Sequence, residues 1–179
     1  ARAAEAHFAA GQRARSLFAY AEALDHFASA LALDHPDSAE LHEAVGDVHT
    51  LRGEYRAALA AYETAAATGS DDRLGRIEHK LGRVHSRRGQ WDLAERHFEA
   101  SLELSGQHAR VYADRSLAAR RRGSAAEALA LAERALELAE DAGDDEALAQ
   151  AHNIMGMLLD DPRHLEQSLA IAEGLPDPT

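Results

Sequence analysis

One pattern of small residues is stated five times along this chain and limits what it can fold into. Gly11 is followed twelve residues later by Ala23, Gly46 by Ala58, Gly82 by Ala94, Ser116 by Ala128 and Gly156 by Ser168. At helical spacing beyond these come Phe27 and Ala30, Tyr62 and Ala65, Phe98 and Ser101, Ala132 and Ala135, and Ala172. The lead residues are separated by steps of 35, 36, 34 and 40. A small residue that opens a close helix–helix contact, then an Ala-rich second helix, repeating every ~34 residues, is the signature of a helical solenoid. Arrays of this kind present a long concave binding surface. The pattern sets a class of function and leaves the ligand open.

Helix formers carry the rest of the chain. Apolar residues make up 46% yet aromatics only 5%, so Ala and Leu must supply most of the packing. Ala, Leu, Glu and Arg rank among the best helix formers. The spacing predicts helices over residues 3–17, 20–33, 38–52, 55–67, 72–88, 91–104, 108–122, 125–141, 145–159 and 163–173. Arg52-Gly53-Glu54, Arg88-Gly89-Gln90 and Arg122-Gly123-Ser124 mark the turns within pairs. Cations suit a helix C-terminus, and glycine tolerates the left-handed conformation just beyond it. Pro36 and Pro162 fall where a helix should start or stop, and the acidic stretch from Glu140 to Glu146 absorbs the long step of 40.

At 179 residues a single domain is expected. With no cysteine, disulfides and thiolate metal sites are excluded. No run of ~18 apolar residues offers a membrane span, and Ala1-Arg2-Ala3-Ala4-Glu5 lacks the apolar stretch of a signal peptide. A cytoplasmic location is expected. The chain does not begin with Met, and Leu175-Pro176-Asp177-Pro178-Thr179 reads as a turn before a new helix. Both features lead to the expectation of a fragment of a longer protein.

The residues resemble the tetratricopeptide repeat. Leu81-Gly82, Gly89, Trp91, Ala94 and Phe98 follow that family's motif, as do Val45-Gly46, Gly53, Tyr55, Ala58, Tyr62 and Ala65. Gly11, Tyr20, Ala23, Phe27, Ala30 and Leu31 form another copy, with Pro36 near the closing proline. Two later copies depart more: Ser116 replaces the first glycine, and Ala125 and Leu165 replace an aromatic. Leu138 to Leu158 resembles the longer-helix variants of bacterial multidomain regulators. The resemblance implies an all-α fold, a right-handed superhelix of about ten antiparallel helices, with repeats near 4–37, 39–72, 75–106, 109–142 and 144–175.

It also implies which side chains face the groove. From the first helix of each repeat these are Glu5, Phe8, Gln12, Arg15 and Ser16, then Glu40, Glu43, Asp47, Thr50 and Leu51. The third set is Arg76, His79, Arg83, Ser86 and Arg87, and the fourth is Arg110, Ala113, Leu117, Arg120 and Arg121. The fifth is Gln150, Asn153, Met157, Asp160 and Asp161.

Charge is distributed unevenly across this map. Residues 1–70 hold 5 basic and 10 acidic groups, 71–122 hold 12 and 8, and 123–179 hold 2 and 13. The one basic stretch of an acidic chain therefore falls on the third and fourth repeats, and Arg76, His79, Arg83, Arg87, Arg110, Arg120 and Arg121 are the candidate partner-binding residues. Arginine suits two-pronged capture of carboxylates. The competing reading is that these arginines are solvated, or paired with acids of neighbouring repeats. The family's carboxylate clamp is not reproduced: Arg76 and Lys80 match one element, whereas Phe8, Gln12 and Ala44 fail the others.

Eleven histidines raise a metal reading, but His7, His42, His49, His85 and His152 sit where the family packs aromatics. No His-x₃-His pair is present, so no metal or cofactor is expected. Arg115 falls at an inward position and needs an acid, with Glu78 or a neighbour of Asp114 as partner, unless the helix slips in register. No phosphate loop, Gly-x-Ser-x-Gly or His-Glu-x-x-His motif appears, so no enzyme is expected. A net charge of −12 disfavours nucleic acid. The leading expectation is a scaffold or regulatory module that binds a protein or peptide, with acidic segments as the fitting chemistry. A sensor for a small acidic ligand or signal peptide is the second reading. Self-association is the third, through apolar surface around Ile154, Met155, Leu158 and Leu169.

Overall fold

The computed structural model describes residues 2–105 and 108–174, with the side chains of residues 71 and 72 left aside. Ten helices follow one another: α1 (Arg2–Ser16), α2 (Tyr20–Ala32), α3 (Ser38–Leu51), α4 (Tyr55–Thr68) and α5 (Asp71–Arg87). Then come α6 (Trp91–Leu104), α7 (His108–Arg122), α8 (Ala125–Ala142), α9 (Asp145–Leu159) and α10 (Pro162–Gly174). Each odd-numbered helix packs against the even-numbered helix that follows it, and each pair stacks on the next. The odd helices form one side of a right-handed superhelix, with α1–α3, α5–α7 and α7–α9 in contact. The segment 175–179, read from sequence as a turn, lies outside the described residues.

The helix ends follow local chemistry. Asp37 accepts a hydrogen bond from the Glu40 amide at 2.7 Å, and Asp144 one from Ala147 at 3.1 Å, so each carboxylate caps the helix it precedes. Gly53, Gly89 and Gly123 all take positive φ in the turns inside pairs. Phe18 occupies the equivalent turn of the first pair with φ 60°, a conformation that penalises a residue with a β-carbon.

The recurring small residue is explained by what it touches. A β-carbon placed on Gly11 would sit 2.5 Å from the Phe27 ring, and one on Gly46 would sit 2.5 Å from Tyr62. On Gly82 it would approach Phe98 to 2.6 Å. These rings are buried between the paired helices, and only a bare backbone leaves room for them. In the fourth pair the ring's place is taken by Ala132, so Ser116 fits, fully buried, with its hydroxyl donating to the Ala128 carbonyl at 2.6 Å. In the fifth pair Gly156 faces Leu165, from the first turn of α10.

Two expectations change. Ile154 and Met155 are buried against α7 and α8 and offer no surface for self-association, whereas Leu165 and Leu169 remain exposed. Arg115 pairs with Glu95 on α6 and lies over the Tyr112 ring. Glu78 is engaged elsewhere, with His97 at 2.6 Å, and the register of α7 does not slip.

Candidate functional site

The odd helices carry a ladder of ion pairs from one repeat to the next. Arg73 forks onto Asp37 at 2.6 and 3.1 Å, and Arg76 forks onto Glu43 at 2.8 Å through both nitrogens. Lys80 reaches Glu43 at 2.8 Å and Asp47 at 2.6 Å, and Arg15 approaches Asp47 from the other side at 3.2 Å. Further along, Asp114 receives His79 at 2.8 Å, Arg83 at 3.2 Å and Gln150 at 3.3 Å. Arg110 binds Asp144 at 2.9 Å and Glu146 at 2.8 Å. Each rung joins residues about one repeat apart, because equivalent turns of successive odd helices lie side by side.

Burial sharpens these pairs electrostatically. Glu43 is only 6% exposed, which opposes its charge, yet Arg76 and Lys80 more than compensate and bring its pKa down to about 2. Burial also works against the Asp114 carboxylate, but the His79 hydrogen bond and the charges of Arg83 and Arg87 lower its pKa. Tyr62 donates to Asp47 at 2.8 Å, and burial together with that carboxylate raises its pKa.

Three cavities adjoin along this side. One of about 770 Å³ is lined by Gln12, Arg13, Arg15, Ser16, Phe18, Tyr20 and Leu51. The next, about 270 Å³, shares Arg15 and Leu51 and adds Asp47, Thr50, Tyr62, Lys80, Arg83 and Arg87. The third, about 110 Å³, shares Arg83 and Arg87 and reaches Leu117, Arg121 and Gln150. Together they form a trough from α1 to α9, apolar at one end and basic further along. Leu17, Phe18 and Leu51 are exposed at the apolar end, at 70, 77 and 56%.

The residues expected from sequence divide into three groups. Arg83, Arg87 and Arg121 line the trough. Arg76 and Arg110 are held in two-pronged pairs, and His79, 7% exposed, is buried against Asp114. Arg120 is exposed in the last turn of α7 but lines none of these three cavities. Three groove assignments are corrected: Phe8 packs on Phe27 and His35, Glu43 lies beneath its two cations, and Ala113 is fully buried. Phe18, Tyr62 and Asp114 also belong to this face and are not among the groove positions read from sequence, whereas Lys80, matched there only to one element of the carboxylate clamp, takes part in the ladder. The acid-to-base spacing of 33 residues, from Glu43 to Arg76 and from Asp47 to Lys80, is the signal that marks the ladder.

Among the described residues no three histidine or carboxylate side chains gather as a metal site, and no helix is long and apolar enough to cross a membrane. His7 and His152 instead face His26 and His164.

Similarity to known proteins agrees with this architecture. Two tetratricopeptide repeat models match, one over residues 1–73 and one over 73–141. No curated protein matches the sequence. Among solved structures, a chain of the APC/C hetero-tetramer Cut9–Hcn1 aligns with TM-score 0.74 and 20% identity over 95% of this chain. This chain spans 34% of that one's length. Pseudomonas aeruginosa pilF aligns with TM-score 0.70 and 20% identity, covering 99% of this chain and 78% of its own. YrrB, a TPR protein with an unusual peptide-binding site, aligns with TM-score 0.58 and 21% identity, covering 93 and 85%. At this identity the structures speak to the fold, while the two sequence matches together span residues 1–141. The chain belongs to the tetratricopeptide repeat family.

Proposed function

We propose that this chain is a scaffold or regulatory module whose trough holds an extended, acidic segment of a partner protein. Proteins built on this repeat are in general non-catalytic interaction modules, which supports a protein or peptide as the ligand. The observation that carries the acidic choice is the charge balance inside the trough. The ladder neutralises Arg73, Arg76, Lys80 and Arg110, and Arg83 shares its acid with His79. Arg87 and Arg121 form no ion pair among the described residues, so the trough retains positive charge next to open volume, with Arg120 exposed nearby in the same turn of α7 as Arg121. Unpaired arginines beside a low-dielectric wall attract carboxylates and set the salt dependence of binding.

Fluorescence polarisation with labelled ten-residue Glu/Leu, Lys/Leu and Ser/Leu peptides tests this reading. The Glu/Leu peptide should bind, more weakly as salt rises. The triple reversal Arg83→Glu, Arg87→Glu, Arg120→Glu should remove that binding. Equal binding of all three peptides, or binding that survives the reversal, places the site elsewhere.

Self-association is a second reading, favoured by α10. That helix has no buried residue and exposes Leu165 and Leu169 at 42 and 59%. Light scattering over a range of concentrations decides it, and a strict monomer at all of them removes it.

A further inference from the structure

One pair of cations on this side has no acid partner among the described residues. Each ion-pair rung described above joins a cation and an acid that lie on, or cap, adjacent odd helices, in either order. Arg87 in the last turn of α5 and Arg121 in the last turn of α7 are 34 residues apart, the same step that separates Arg110 from Asp144. Arg76 and Arg110 stand at the same step, but each is held by its own acid, Glu43 and Asp144; Arg87 and Arg121 are two cations at this step without one among the described residues. Both line the third cavity, and neither has an acid within ion-pair distance among the described residues. Arg121 touches only the Ser86 hydroxyl there, at 3.5 Å. The acid on this wall, Asp114, is already engaged by His79, Arg83 and Gln150. In the next repeat Asp161 turns to Arg163 at 2.7 Å, so the fifth repeat does not supply the missing carboxylate.

We infer that Arg87 and Arg121 are an open rung, completed when a single carboxylate side chain of the bound segment enters between them. This rests on the groove reading above and names the contact that gives it acid specificity. Two guanidinium forks offer several N–H donors to one carboxylate, an arrangement in which charge-assisted bonds are short and strong. Leu117 and Phe98 in the same wall exclude water from one side, which strengthens the pair relative to an exposed one. Without the ligand, two like charges on neighbouring helices repel, so the open rung weakens the junction between the third and fourth repeats. Ligand and fold therefore share one electrostatic vacancy.

The test supplies the missing acid from within the chain. Arg121→Glu should pair with Arg87, raise Tm, and weaken binding of the Glu/Leu peptide at least about tenfold, the loss expected for about one charge-assisted contact. Arg87→Gln should also weaken the peptide about tenfold while leaving Tm unchanged or slightly higher, because it removes repulsion. A Leu51→Asp variant, on the trough but remote from the rung, reports on the groove itself. If Leu51→Asp abolishes peptide binding while Arg121→Glu and Arg87→Gln leave it intact, the open rung is wrong and the groove reading stands. A fall in Tm for Arg121→Glu also overturns the rung. If the wild-type chain binds no acidic peptide, the groove reading fails and takes this inference with it.

Discussion

Arg76 grips Glu43 with two nitrogens, each 2.8 Å from a different carboxylate oxygen, and so ties α5 to α3 across one repeat. Because Glu43 is buried while Arg76 keeps part of its surface in water, the pair is sensitive to the loss of the acid. Glu43→Gln should destabilise the chain by about 2 kcal/mol, the scale of a lost charge-assisted hydrogen bond in a buried setting. Urea denaturation at pH 7 measures it.

The same residue sets an acid limit. Its carboxyl is brought from 4.5 to about 2 in the folded chain. The folded state therefore binds this proton less readily than the unfolded state. The stabilisation is complete above pH 4.5 and is lost as pH falls toward 2. Wild-type stability should drop through that window, and Glu43→Gln should show a shallower drop. Tm measured from pH 7 to pH 2.5 for both proteins checks this.

The small residue and the ring it faces are a matched pair. Gly46→Ala gains up to about 1 kcal/mol of helix propensity, but its new methyl meets the Tyr62 ring and should cost about 2–3 kcal/mol. The net is a loss. In the fourth repeat the match runs the other way, with Ser116 opposite Ala132. Ala132→Phe should destabilise by about 2 kcal/mol, and adding Ser116→Gly should recover about half of that by making room for the ring. A double-mutant cycle measured by thermal unfolding gives the coupling directly.

Phe18 holds a left-handed backbone that Gly53, Gly89 and Gly123 occupy in the other turns, and its ring is 77% exposed beside Leu51 at the mouth of the trough. Phe18→Gly should raise stability by about 1 kcal/mol by releasing that strain. If the exposed ring is part of the binding surface, the same change should weaken the Glu/Leu peptide about threefold. An unchanged affinity removes Phe18 from the surface.

Asp114 competes with any ligand for Arg83. Asp114→Asn should destabilise by about 2 kcal/mol, since His79 and Arg83 lose a charged acceptor. It should also tighten binding of the acidic peptide severalfold by freeing Arg83. Polarisation titrations at fixed ionic strength read the second effect separately from the first.

Much of this fold was legible in the sequence because its constraints are local. The spacing from Gly11 to Phe27, and its copies, placed every described helix pair to within a residue or two. The trough was legible in position but less so in electrostatics. Arg76 and His79 do lie on the expected side of α5, yet what they do depends on Glu43 and Asp114, which come from other repeats. The 31- to 37-residue separations between rung partners were present in the sequence, but only side-by-side packing of odd helices turns them into contacts. Arg115 shows the limit most clearly. Its acid, Glu95, comes from an even helix, and no helical spacing on α7 points to it.

Amide hydrogen exchange with and without a saturating Glu/Leu peptide tests the central claim most directly. Binding in the trough predicts protection concentrated on α3, α5 and α7, strongest around Arg87 and Arg121, with the even helices little changed. Protection confined to α4, α6 and α8, or none despite bound peptide, contradicts it.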